Sequence, residues 1–120
     1  MGSVKFWLVL SSLLLSGGAA CAECLMPDSP PAVPDGSNAT DAEMRAGREA
    51  LQAFVNKLQS YQSCLEAELK AAPADTLPQL KIAWRAAGNA AIDQAQQLAQ
   101  DYDRELKLFK SLHPGAQPAK

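Results

Sequence analysis

From residue 44 onward the apolar positions recur in alternating steps of three and four. Met44, Gly47, Leu51, Phe54, Leu58, Tyr61 and Leu65 fall on one line with the spacing of a coiled-coil seam. That stripe predicts a first helix over about 41–72. A second stripe follows: Leu80, Trp84, Ala87, Ala91, Ala95, Leu98, Tyr102, Leu106 and Phe109. It repeats every eleven residues, the period of a nearly straight helix, and predicts a second helix over about 77–112.

The punctuation around the stripes agrees. Thr40-Asp41-Ala42-Glu43 is a capping box, in which the Thr40 side chain accepts from the Glu43 amide and the Glu43 carboxylate reaches back. Thr76-Leu77-Pro78-Gln79 has the same form, with proline tolerated in a first turn. Pro73 stops the first helix. Lys107, Lys110 and His113 suit the last turn of the second, which Pro114-Gly115 ends, leaving 114–120 as a polar tail. Asp41–Arg45, Glu66–Lys70 and Asp103–Lys107 have the spacing of surface ion pairs.

Each helix should span roughly 50 Å. The short link at 73–76 makes them antiparallel neighbours. With the turn centred between 74 and 75, facing positions sum to about 149. Phe54 then faces Ala95, Leu58 faces Ala91, Leu51 faces Leu98 and Leu65 faces Trp84. Tyr61 meets Gly88 and Tyr102 meets Gly47, each large ring against a glycine. Val55, Ile82 and Ile92, with Ala86, Ala90 and Ala99, lie off the stripes. They need either the N-terminal arm or a second copy of the chain to cover them.

That arm is 23–39. Pro27, Pro30, Pro31 and Pro34 forbid helix, and Pro34-Asp35-Gly36 signals a turn. Leu25, Met26 and Val33 give it apolar surface to bury over the hairpin groove. Ahead of it, Lys5, the apolar run Phe6–Leu15 and the small-residue site Ala20-Cys21-Ala22 read as an export signal over Met1–Ala22. Its apolar core is too short for the ~20 residues of a spanning helix. The competing reading is lipidation at Cys21, weakened because Gly18 stands where a leucine is expected.

Removing 1–22 leaves 98 residues (120 − 22) with a charge of −3, ten Lys plus Arg against thirteen Asp plus Glu. No basic surplus exists for a nucleic-acid backbone or an anionic membrane. So small a domain has a thin core, which raises the importance of Cys24 and Cys64. Cys64 lies roughly 35 Å up the first helix, and an extended arm from Cys24 to Asp41 reaches ~53 Å. A Cys24–Cys64 bridge is therefore sterically open, and closing that loop stabilises by ~4 kcal/mol in the chain-entropy model. An intermolecular bridge is the alternative. The resulting expectation is an all-α fold: an antiparallel two-helix hairpin over 40–113, with a proline-rich extended arm stapled to helix 1 by one disulfide.

Chemistry-bearing motifs are sparse. Cys21-Ala22-Glu23-Cys24 has redox CxxC spacing, but the cleavage site cuts through it and no βαβ pattern surrounds it. His113 stands at a helix end, where capping accounts for it. Asp101, Asp103 and Glu105 lack the glycine-bearing loop of a calcium site and read as a solvated face. Asn38-Ala39-Thr40 is a glycosylation sequon that helix-entry chemistry also explains. No catalytic constellation or phosphate loop is present, so neither an enzymatic role nor a cofactor or metal is expected.

Pro34-Asp35-Gly36, Met44, Tyr61-Gln62-Ser63-Cys64-Leu65 and the terminal run Ala99 to Lys110 together resemble a group of small exported proteobacterial helical-hairpin proteins of unknown function. Asp103 departs from that pattern, which often has asparagine there. The resemblance implies an envelope address and a helical hairpin, and assigns no activity. The expected role is a non-catalytic interaction or structural module in the periplasm or cell envelope, or secreted, with a protein partner or self-association. The alternative is a small-ligand or metal carrier, with a pocket between arm and hairpin near Tyr61 and Trp84. An enzyme would have to draw on Tyr61, Tyr102 and Asp103.

Overall fold

A computed structural model of the chain describes residues 23–116. Residues 1–22, read above as an export signal and including Cys21, and the tail from 117 lie outside the described residues. Helix α1 is Asp41–Ala71 and helix α2 is Pro78–Leu112, and they pack against each other as a hairpin. No strand occurs among the described residues. A disulfide joins Cys24 to Cys64, with the Cα atoms 5.7 Å apart, so the arm is tied to α1.

The start of α1 is built as its residues dictate. Thr40 is the N-cap, its hydroxyl accepting from the Glu43 amide at 3.2 Å while its own amide donates to the Glu43 carboxylate at 2.7 Å. Ala39 before the cap and Met44 beyond it are buried in one cluster, a small hydrophobic staple. α1 ends one residue before the expected 72, because Ala72 precedes Pro73 and is forced into an extended conformation.

The second capping box does not form. Leu77, not Thr76, occupies the N-cap of α2, and no side chain caps the helix. Pro78 is the reason: it sits in the first turn and pushes the residue before it out of the helical region, moving the boundary past Thr76. The Thr76 amide instead donates to the Pro73 carbonyl at 3.0 Å and closes the inter-helix turn. At the far end Pro114 and Gly115 form a reverse turn, the Ala116 amide donating to His113 at 3.1 Å. Gly115 has φ 90°, which only glycine adopts without strain.

Two buried clusters run along the hairpin. Phe54, Leu58, Ala91 and Leu98 form one; Met44, Tyr102, Phe109 and Ala39 form the other. Leu58 and Ala91 share a cluster, as the register of about 149 requires. Val33 packs against both clusters, so the arm crosses the helix–helix groove there. The arm's other apolar residues do not follow. Leu25 is 78% exposed and Met26 47%, against the expectation that both bury. Cys24 and Pro27 are the half-buried residues of this stretch. That three-residue repeat is the period of a polyproline helix, which turns 25 and 26 outward once Cys24 is tied down.

Candidate functional site

The arm meets the hairpin at two places, and each was only half visible in the sequence. The first is the Pro34-Asp35-Gly36 turn. The Asp35 carboxylate accepts from the Ser37 amide (2.9 Å), the Ser37 hydroxyl and the Asn38 side-chain amide (2.7 Å), and its carbonyl accepts from the amides of Asn38 and Ala39. These bonds, led by the Ser37 hydroxyl, hold its carboxyl below the ordinary value of 3.8. Asn38 is thus engaged in the turn.

The turn lies on α2. The Gly36 amide donates to the Glu105 carboxylate at 2.9 Å. A Cβ on Gly36 would overlap the Glu105 carbonyl and come within 3.1 Å of the Phe109 nitrogen, so this close approach requires glycine. Glu105 therefore leaves the solvated acidic face assigned to it: it clasps the arm. Asp101 accepts from Arg104 at 2.7 Å and from Gln97 at 3.0 Å. Among the described residues Asp103 makes no ion pair with Lys107, and Glu66 accepts from Gln62 at 2.8 Å in place of a pair with Lys70. Asp41–Arg45 does approach, at 4.0 Å.

The tyrosine–glycine pairings are replaced by other contacts. The space above Gly47 is filled by the ring of Pro34. Tyr102 is buried and donates its hydroxyl to the Met44 carbonyl at 2.9 Å. Burial raises its pKa above 10.0. Gly88 has the Gln62 and Leu65 side chains 3.8 and 3.9 Å from where a Cβ would stand, and Tyr61 is not among its near neighbours. Phe54 is buried, and Tyr61 and Trp84 are half-buried. His113 is the C-cap of α2, its ring stacked on Phe109 at 4.4 Å and its Nδ1 3.0 Å from the Phe109 carbonyl.

The second meeting place is the disulfide. Cavities of about 550 and 540 Å³ flank it. Cys24, Glu23 and Tyr61 line both. One lies between the arm and α1, past Asp28 and Lys57. The other opens toward the hairpin turn and is walled by Leu65, Leu80 and Trp84, with Glu68 at its edge. This is the position expected for a pocket between arm and hairpin near Tyr61 and Trp84. Among the described residues no three His, Cys, Asp or Glu side chains converge in a way that could hold a metal ion. No helix there is long and apolar enough to cross a membrane.

The fold thus defines a disulfide-closed helical hairpin whose surface features are grooves and apolar faces. Compared with protein-family models, curated proteins and solved structures, the chain matches none.

Proposed function

We propose that this chain is an exported binding module of the bacterial periplasm or envelope, acting through its helical faces and not through chemistry. One observation carries the reading. Ile82 is 62% exposed, and Leu77, Leu80, Ile92, Leu108 and Leu112 are also exposed along α2. Each keeps more than a third of its surface open beside α1 and the arm, and apolar side chains left open along a helix are the anchors that helix-in-groove contacts use. The disulfide is compatible with that address, since such bonds persist in oxidising compartments. The export signal at 1–22 and the resemblance to small exported proteobacterial proteins support it from the sequence side. A photo-crosslinker placed at 82 in the living envelope should trap one defined adduct, either a partner or a second copy, that a crosslinker at the exposed polar position Gln52 of α1 does not. Equal, diffuse labelling from both positions would count against the reading.

A second reading, a small-ligand carrier, is favoured by the 540 Å³ groove beside Tyr61 and Trp84. Its volume falls in the range of small-molecule sites, roughly 300–1,000 Å³.

A further inference from the structure

We infer that the groove between the start of the arm and the turn end of the hairpin takes small organic cations with an apolar body. The inference rests on the carrier reading just given and adds the chemical class. Its floor is Tyr61, Leu65, Leu80 and Trp84, two aromatic and two aliphatic side chains. The charged residues lining it are Glu23 and Glu68, both acidic, with no lysine or arginine among the lining residues. The neighbouring cavity across the disulfide is less acidic and has no tryptophan: Lys57 offsets Asp28 there, leaving the shared Glu23.

Charge and polarity choose among ligands. An anion would be repelled by both carboxylates. A neutral apolar molecule would fill the floor, but would take water from the carboxylates and return no partner. A cation on an apolar body answers both parts of the site: its charge lies near Glu23 and Glu68, and its body and charge meet the indole and phenol rings. If export removes 1–22, the new α-ammonium of Glu23 joins the rim. It offsets one carboxylate, so Glu68 decides the sign of the site.

The test is a titration of the oxidised protein with three probes of one shape class: benzyltrimethylammonium, benzyl alcohol and phenylacetate. The readout is the Trp84 indole Nε1–H NMR signal, assigned by Trp84→Phe so that Trp7, where still present, is not mistaken for it. The cation should shift the signal saturably, bind at least about tenfold more tightly than the alcohol, and weaken with added salt. Phenylacetate should produce no saturable shift. Glu68→Gln, a change in the groove wall that leaves the helical circular dichroism intact, should weaken cation binding about two- to fivefold. If the alcohol binds as well as the cation, or if Glu68→Gln changes nothing, the cation inference fails while the carrier reading stands. If no probe moves the Trp84 signal, both fail.

Discussion

Gly36→Ala tests the docking of the arm on α2 with a single methyl group. The backbone of Gly36 does not have a positive φ, so alanine is conformationally allowed there. On unfolded-chain entropy alone the change would stabilise by about 0.4–1 kcal/mol. The contacts oppose this. The new Cβ would overlap the Glu105 carbonyl, and would stand 2.9 Å from the Glu105 carbonyl carbon and 3.1 Å from the Phe109 nitrogen. These are helix backbone atoms and cannot rotate aside. The turn must lift, loosening Val33 and Ala39 from the Met44–Tyr102–Phe109 cluster and stretching the 2.9 Å bond to Glu105. Overpacking of this kind costs about 1–3 kcal/mol. The net expectation is a loss of about 1–2 kcal/mol, a fall in Tm of roughly 5–15 °C for a domain of this size. Gly88→Ala is the internal control of opposite sign. Its Cβ would meet only side chains at ordinary contact distance, so helix propensity should win and stabilise by up to ~1 kcal/mol. Thermal and urea unfolding of the oxidised proteins, followed by circular dichroism at 222 nm, measures both. A Gly36→Ala protein as stable as wild type would refute the docked position of the turn.

Three further outcomes follow from the same contacts. Thr40→Ala should cost about 1 kcal/mol in urea unfolding by removing a formed cap, while Thr76→Ala should stay within about 0.5 kcal/mol because that side chain caps nothing. Tyr102→Phe should cost about 1 kcal/mol at neutral pH through the lost bond to Met44. Because the folded pKa of Tyr102 lies above its unfolded value of 10.0, the unfolded chain sheds that proton first, and stability should fall as pH rises past 10 in wild type and fall less steeply in the variant. Replacing Cys24 and Cys64 by serine opens a loop spanning 40 residues of separation and should cost ~4 kcal/mol in the same unfolding assay, with hydrogen exchange rising first at 24–32 and last at 35–40, where the Gly36–Glu105 clasp persists.

The parts of this fold governed by near neighbours were legible in the sequence. Thr40 and Glu43 are three residues apart and need nothing distant to form their box; Pro73 stops α1 by local sterics. The heptad and eleven-residue stripes led to the hairpin and to the cluster that joins Leu58 with Ala91. Legibility failed where two local rules competed or a third segment intervened. At Thr76-Leu77-Pro78-Gln79 the capping pattern and the proline pointed to boundaries one residue apart, and the steric restriction before proline is the stronger effect. At Gly47 a two-helix register placed Tyr102 opposite, but the arm supplies Pro34 to that space. No pairing of the two stripes could contain it. The Pro-Asp-Gly turn was readable as a turn, yet its landing place on Glu105 was not, because an acidic residue on a helix surface looks alike whether it faces water or an amide. The grooves beside the disulfide were legible in position, since Tyr61 and Trp84 lie near the tether. Their acidic rim depends on where the tether sets Glu23.

The tie between arm and α1 is the central claim, and it is directly measurable. The protein is recovered from its native cells with free thiols blocked at lysis, and examined without reduction by intact-mass and peptide mass spectrometry. The account predicts an N-terminus at Glu23 and one cross-linked species joining the Cys24 and Cys64 peptides. Recovery of both cysteines as blocked thiols would contradict it.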